Sequence, residues 1–250
     1  MNILVTNDDG IYSPGLEALA EGLRALGEVV VVAPDREKSA CSHSLTMHRP
    51  LRIQEVRPRV FAVDGTPADC VNVAVHGLLK DDRPVLVASG INLGANVGDD
   101  VTYSGTVAAA QEGAMLGIPA LAVSVNARAD FRFEAAVEHA VRVAGLLLRD
   151  GPAGCRFYNL NVPNLSPAEI RGVRWTRLGR RVYWDALEER VDPRGRSYYW
   201  IGGSQEAGMR DEPGTDMRAL LEDCVSVTPL RLDRTHEECL AFLRTRDPEP

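Results

Sequence analysis

Residues 2–33, NILVTNDDGIYSPGLEALAEGLRALGEVVVVA, decide the fold class of this chain. Residues 2–6 and 28–33 are short, mostly apolar runs rich in β-branched residues, which predict two buried strands. Between them, apolar residues recur at helical spacing: Leu16, Leu19, Ala20, Leu23 and Leu26. The ends of this helix are marked by a cap, a first-turn proline and an exit glycine: Ser13, Pro14 and Gly27. The segment therefore predicts a β-α-β unit.

The alternation of strands and helices continues to about residue 165. Thr66-Pro67-Ala68-Asp69 combines a cap with a first-turn proline and opens a second helix through about Leu79. Further strands are predicted at 84–89, 120–125 and 156–162, and further helices at 105–116 and 133–149. Continuous apolar strands that alternate with helices indicate an α/β fold, a mostly parallel sheet covered on both faces.

The pattern changes after about residue 165, and we divide one domain into a core at 1–165, an extended arm at 166–215 and a terminal part at 216–250. Two arginine-rich or aromatic segments, 180–184 with Trp184 and 197–200 with Trp200, predict a hairpin arm. The arm is an oligomer contact, a base-stacking platform or a plain hairpin, and exposed aromatic clusters favour the contact. A strand at 225–230 and a helix from Thr235, with a capping box to Glu238, complete the chain.

Composition excludes several classes of protein. The chain has 250 residues with 28 basic and 35 acidic side chains, a net charge of -7, which argues against a stable nucleic-acid partner. Five scattered cysteines suggest neither a disulfide framework nor a thiolate zinc site, and they fit a reducing compartment. We see no signal peptide and no apolar run of the ~20 residues that span a bilayer. We expect a cytoplasmic protein without a membrane partner.

The chemistry is expected beyond the carboxyl ends of the strands, where loops of an open parallel sheet converge. Four polar segments meet that condition: Asn7–Gly10, Pro34–Ser39, Ser89–Asn92 and the glycine-rich loop 90–106. They are far apart in sequence, so a site here has to be assembled by the fold.

Asp8 and Asp9 are adjacent carboxylates at the end of the first strand. Buried without compensation they would cost several kcal/mol each, so a bound cation is the economical explanation. The Ser39 hydroxyl and the Asn92 amide add only oxygen, which suits Mg²⁺, Mn²⁺ or Ca²⁺ better than Zn²⁺. The alternative is that the two aspartates merely cap the turn before the first helix.

Ser104-Gly105-Thr106 opens a helix after the glycine-rich loop. Such an N-terminus offers unpaired N–H groups to an anion, and a phosphate would fit there. The segment is neither a Walker P-loop nor a dinucleotide fingerprint, and it also suits a plain serine cap. His43, in the loop after Ser39, is a further residue that could reach the site.

These loops together resemble the SurE family of stationary-phase survival proteins, which act as nucleoside 5'-monophosphate phosphohydrolases. The resemblance rests on five groups of residues and the late strand: Asn7–Gly10, Ser39, Gly65–Val71, Ser89–Asn96, Ser104–Thr106 and Val225–Leu230. It implies that one divalent metal, Mg²⁺ or Mn²⁺, is held by four side chains: Asp8, Asp9, Ser39 and Asn92. It further implies that four residues lie at the phosphate: Asn96, Ser104, Gly105 and Thr106. A Rossmann-like core and a C-terminal arm exchanged between subunits, giving dimers or tetramers, are also implied.

Metal-assisted attack of water on a phosphomonoester is the expected reaction. Asp8 would orient or deprotonate that water, or act itself as a nucleophile. A metal-dependent deacetylase would need histidine ligands that these loops do not offer. A non-catalytic sensor that binds nucleotides or RNA in the same anion pocket is the alternative function.

Overall fold

A computed structural model describes residues 1–150, 155–182, 187–201, 208–209 and 211–246. The strands are, in chain order, β1 (Asn2–Thr6), β2 (Glu28–Pro34), β3 (Ile53–Arg57), β4 (Val60–Val63), β5 (Leu86–Leu93), β6 (Ala120–Asn126), β7 (Phe157–Pro163), β8 (Gly172–Trp175), β9 (Arg181–Val182), β10 (Leu187–Val191), β11 (Ser197–Ile201), β12 (Gly208–Met209) and β13 (Cys224–Pro229). The helices are α1 (Pro14–Leu23), α2 (Pro67–Val73), α3 (Gly105–Met115), α4 (Glu134–Asp150), α5 (Asp216–Leu221) and α6 (Glu237–Arg246). Among the described residues, none of the helices is both long enough and apolar enough to cross a bilayer.

A nine-stranded sheet runs in the order β3-β4-β2-β1-β5-β6-β7-β13-β8. The six strands from β4 to β7 in that order are mutually parallel, whereas β3 and β13 join their neighbours β4 and β7 antiparallel. The chain leaves β1 towards β2 and β4 and returns to β5 on the other side of β1. The point at which the order reverses therefore lies between β1 and β5, where open α/β sheets form their ligand crevice.

Helices cover both faces of this sheet, and each face has its own apolar core. On one face, α1 packs through Leu16 and Leu19 together with α4 against the strands. On the other face, α2 packs through Val71 together with α3 through Val107 and Ala110. The structure thus confirms a Rossmann-like three-layer α/β sandwich with a mostly parallel sheet.

The structure differs from the sequence prediction at several elements, among them β8 and α5, which were not predicted. The edge pair β3 and β4 was not predicted. Every residue of β3 is exposed, so that strand carries no buried apolar signal, whereas β4 is a short apolar run, VFAV, that the prediction overlooked. The second helix runs as α2 and then as a π-helical turn, Ala74–Leu78. Strand β5 continues beyond residue 89 to Leu93, with a shift in register between Ser89 and Asn92.

The capping predictions have mixed outcomes. Thr66 and Asp69 form the predicted capping box at α2. Ser13 occupies the N-cap position of α1, but its hydroxyl makes no capping hydrogen bond. The predicted box from Thr235 is wrong, because α6 begins at Glu237. The capping contact falls one residue later, on His236, whose Nδ1 accepts from the N–H of Cys239.

A hairpin of β10 and β11 forms a separate two-stranded antiparallel sheet, which confirms the predicted arm. Its aromatic side chains Tyr198, Tyr199 and Trp200 are exposed. Trp184, the other aromatic residue named for this arm, lies outside the described residues. The division into core, arm and terminal part stays a prediction.

Gly15 allows α1 to pack directly on the backbone of β5. A Cβ at this position would lie well inside van der Waals contact with the carbonyl oxygen of Ile91. We expect Gly15→Ala to lower the free energy of unfolding by about 2 kcal/mol, because overpacking forces the helix off the strand. Thermal unfolding should show a fall in Tm of roughly 5 °C.

Gly77→Ala is the matched control, since a Cβ there meets nothing within 4 Å. It should leave Tm unchanged or raise it slightly, because alanine is the better helix former. Equal Tm values for both variants would contradict the close approach of α1 to β5.

Candidate active site

Polar side chains gather at the carboxyl ends of β1 and β5, on either side of the reversal in strand order. The turn after β1 is fixed by the buried Asn7, whose side chain both donates to the carbonyl of Gly10 and accepts from its N–H. Gly10 has φ +98°, a left-handed conformation that disfavours any side chain. This turn presents Asp8 and Asp9 at the centre of the crevice.

Asp8 is buried against the N-terminus of α3. Its carboxylate accepts a hydrogen bond from the hydroxyl of Thr106 and is also approached by the backbone N–H groups of Gly105 and Thr106. Burial raises the pKa of Asp8, and these hydrogen bonds oppose that rise. A Cβ at Gly105 would lie 2.8 Å from Asp8 Oδ2 and 2.9 Å from Cys41 Sγ, so only glycine allows this contact.

Asp9 lies beside Asp8 and has less compensation. The backbone N–H of Leu93 hydrogen-bonds its carboxylate, but Oδ2 is buried without a hydrogen-bond partner among the described residues. Burial, and secondly the charge of Asp8, raises the pKa of Asp9 to about 7. The hydrogen bonds around the pair therefore compensate its negative charge only in part, and least at Asp9.

Asn92 is brought to this pair, and the loop of Ser39 passes beside it. Asn92 Oδ1 lies 3.2 Å from Thr106 Oγ1, the same hydroxyl that hydrogen-bonds Asp8. The N–H of Lys38 donates to the backbone carbonyl of Asp8 at 2.7 Å, which anchors the loop one residue before Ser39. The hydroxyl of Ser39 is itself exposed and donates to Glu37 Oε1 at 2.6 Å.

The donor atoms at this site fit a hard cation. Two acceptor oxygens, from Asp8 and Asn92, converge on a hydroxyl that has a single proton to give, and Oδ2 of Asp9 is an orphaned buried acceptor. Carboxylate, amide and hydroxyl oxygens are the ligands that Mg²⁺ and Mn²⁺ prefer. Within the part of the chain that the structure describes, His, Cys, Asp and Glu form no cluster of three or more suited to a metal.

The predicted phosphate residues lie in two places: Gly105 and Thr106 contact Asp8 at the start of α3, whereas Asn96 contacts side chains of β6 and β7. Ser104 caps α3, and its hydroxyl accepts from the N–H of Val107 at 3.1 Å. Asn96 donates from Nδ2 to Ser124 Oγ at 2.9 Å, and its backbone is held by the side chains of Asn159 and Asn161.

Sequence reasoning missed Ser124, Asn159 and Asn161. These three side chains are fully buried in β6 and β7, and Oδ1 of Asn159 has no hydrogen-bond partner among the described residues. A signal was available in the sequence of β7, FYNLNVP, where two asparagines alternate with apolar residues in a buried strand. Buried amides need partners, so their presence points to a polar network.

His43 is not directed to the aspartate pair. Its Nε2 lies 2.5 Å from Glu112 Oε2, and the side chain of Asn72 donates to Glu112 Oε1 at 2.8 Å. We expected that His43 could reach the site; instead it contacts Glu112, which lies further along α3.

Comparisons with known proteins agree on one family. The model of the family described as Survival protein SurE matches residues 3–185. The curated protein 5'-nucleotidase SurE of Syntrophotalea carbinolica is 52% identical over 246 residues, covering 96% of each chain. The protein of the same name from Geobacter sulfurreducens is 50% identical over 248 residues, covering 99% of this chain and 94% of that protein. The crystal structure of the SurE protein from Aquifex aeolicus superposes with a TM-score of 0.88 at 43% identity, covering 99% of this chain and 100% of that one.

The raised pKa of Asp9 predicts how the stability of the metal-free protein depends on pH. Between its ordinary value of 3.8 and about 7, the folded protein holds a proton that the unfolded chain has lost, so stability falls as pH rises through this window. Asp9→Asn does not titrate, and its advantage in Tm over the wild type should grow from about pH 5 to about pH 8. Thermal unfolding in EDTA measures this; a difference in Tm that is the same at both pH values would contradict the assignment.

Proposed function

The chain belongs to the SurE family, and we propose that it is a divalent-metal-dependent 5'-nucleotidase, which hydrolyses nucleoside 5'-monophosphates to nucleoside and phosphate. The observation that carries the proposal is the pair of neighbouring carboxylates Asp8 and Asp9: Asp8 is buried, and the half-buried Asp9 has one buried oxygen without a hydrogen-bond partner among the described residues. Full-length similarity to curated 5'-nucleotidases supports the substrate class.

We propose that one Mg²⁺ or Mn²⁺ is held by four side chains: Asp8, Asp9, Ser39 and Asn92. For Ser39 this requires its hydroxyl to turn from Glu37 towards the pair, while the anchor from Lys38 to Asp8 holds the loop in place. When bound, the cation supplies Lewis-acid polarisation of a phosphoryl oxygen and lowers the pKa of water.

Asp8 is proposed as the catalytic residue because it lies between the metal site and the N-terminus of α3. Its contacts with Gly105 and Thr106 fix the orientation of the carboxylate, and burial weakens its hydration. It can hold the attacking water or accept its proton, and direct attack by the carboxylate on phosphorus is the competing role.

Asn96, Ser104, Gly105 and Thr106 are proposed to bind the phosphate. The N-terminus of α3, which is the positive end of the helix dipole, already faces the carboxylate of Asp8. A phosphoryl group at the mouth of the crevice would therefore share the N–H groups of Gly105 and Thr106 with Asp8. Preorganised donors of this kind stabilise the charge that develops on phosphoryl oxygens. The network of Asn159 and Asn161 keeps Asn96 in position.

We also infer a cytoplasmic homo-oligomer, a dimer or tetramer. The five cysteines are all unpaired, which suits a reducing compartment. The exposed aromatic side chains of the β10–β11 hairpin support a contact between subunits.

Asp8→Asn tests the metal and catalytic assignments together. It should lower phosphatase activity by more than about a hundredfold, because the site loses a charged oxygen next to the phosphorus. The loss should appear in kcat/KM measured with added Mn²⁺, while circular dichroism stays that of the wild type. Asp81→Asn is the control and should retain full activity, because Asp81 is exposed and precedes β5, at the end of that strand opposite the site. Wild-type activity in Asp8→Asn would reject the proposal.

A panel of phosphomonoesters separates the nucleotidase from the alternative, a non-catalytic nucleotide or RNA sensor. Phosphate release with Mn²⁺ should be fastest for nucleoside 5'-monophosphates, slower for esters without a base, and abolished by EDTA. Binding of nucleotides without turnover would favour the sensor.

A further inference from the structure

Glu112 is a buried carboxylate that the proposed reaction does not use. It lies on α3 seven residues after Gly105, roughly 10 Å along the helix axis from the N-terminus that faces Asp8. Its side chain is only 9% exposed, and both oxygens are engaged, one by His43 and the other by Asn72. The hydrogen bond with His43 is the main reason that the pKa of Glu112 is lowered despite burial.

His43 belongs to the loop that continues from the metal-site residue Ser39. Four further contacts fasten residues 39–46 to their surroundings. The N–H and hydroxyl of Ser42 donate to the carbonyls of Tyr103 and Thr102, and the carbonyl of Ser44 accepts from the hydroxyl of Thr66. The N–H of Thr46 donates to Asp69 Oδ1 at 3.0 Å.

Two residues of this loop adopt a backbone conformation that their side chains disfavour. Ala40 has φ 55° and Ser42 has φ 52°, both in the left-handed region. Ala40 directly follows Ser39, and Cys41 packs its Sγ beside Gly105. A loop with this geometry keeps its shape only when the surrounding contacts determine it.

The pair of His43 and Glu112 is a largely buried contact between two side chains that holds the loop. The side chains of His43 and Glu112 are 20% and 9% exposed, whereas the hydrogen bonds of the Ser42 hydroxyl and of the Ser44 carbonyl lie at the surface. A hydrogen bond to a charged group is stronger than one between neutral groups, and more so away from water.

We propose that His43 and Glu112 are positioning residues that hold the loop 39–46 beside the metal site, so that Ser39 reaches the cation by turning its side chain away from Glu37 while the loop backbone stays in place. The inference rests on the proposed function, since it assumes that this site binds a divalent cation. Neither side chain touches the metal or the phosphate in this scheme. They raise the fraction of molecules in which the site is ready to bind, and the apparent affinity for the cation rises with that fraction.

The test measures binding of Mn²⁺ alone by isothermal titration calorimetry, so it does not depend on turnover. His43→Ala should weaken Mn²⁺ binding by about tenfold, the effect expected for losing one hydrogen bond to a charged group. At saturating Mn²⁺, kcat should stay within about twofold of the wild type, because the reacting groups are intact. His43→Gln, which can still donate to Glu112, should recover most of the affinity.

Hydrogen exchange of the metal-free protein provides a second readout. In His43→Ala, the amides of Ser42 and Thr46 should exchange faster, while the amide of Cys70 in α2 should be unchanged. His48→Ala is the matched control: His48 is exposed and lies five residues further along the chain, so neither Mn²⁺ binding nor exchange should change.

Each remaining outcome counts against the proposal. Wild-type affinity for Mn²⁺ in His43→Ala would overturn it, even if the loop exchanged faster. A fall in kcat that persists at saturating Mn²⁺, with unchanged affinity, would make His43 a catalytic residue instead. If the wild type binds no divalent cation while Asp8→Asn stays active, it is the proposed function that fails.

Discussion

The structure depends on the placement of two neighbouring carboxylates at the end of its central strand. β1 is flanked by β2 and β5, so its carboxyl end lies at the reversal of strand order, between the loops that follow both neighbours. Asp8 and Asp9 therefore lose most of their hydration and repel each other at the same time. Folding without a cation leaves this cost in place, and the proposed cation would remove it. The free energy that burial of the two carboxylates costs would then become affinity for the metal.

The surrounding elements are arranged to compensate the two carboxylates unequally. Asp8 receives a hydroxyl and two backbone N–H groups from the start of α3, whereas Asp9 receives one N–H and keeps an orphaned oxygen. Gly105 allows the carboxylate of Asp8 to approach the start of α3, because a side chain at Gly105 would collide with Asp8. An acid held firmly in one orientation suits a catalytic role, and a less compensated acid suits the binding of a cation.

Much of the fold follows from the sequence because the periodicity of the core is strong. The buried runs of β1 and β2 and the spacing of Leu16 and Leu19 specify the first β-α-β unit without tertiary information. The exposed strand β3 was missed because its stability comes from pairing with β4, which local sequence does not record. In the site, strand-end position predicted that Asp8 and Asn92 lie at the same edge of the sheet, and both contact the hydroxyl of Thr106. The direction of His43 was not predictable, since it depends on Glu112, which is 69 residues away and lies in a helix of small residues.

The polar network around Asn96 has a consequence that differs from that of the acid pair. Ser124, Asn159 and Asn161 hold Asn96 with amides and a hydroxyl alone, none of which gains or loses a proton near neutral pH. Mobile ions do not weaken contacts between neutral groups as they weaken contacts between exposed charges. One wall of the crevice thus keeps its form through changes in acidity and ionic strength, while the opposite wall, with the acid pair, responds to acidity.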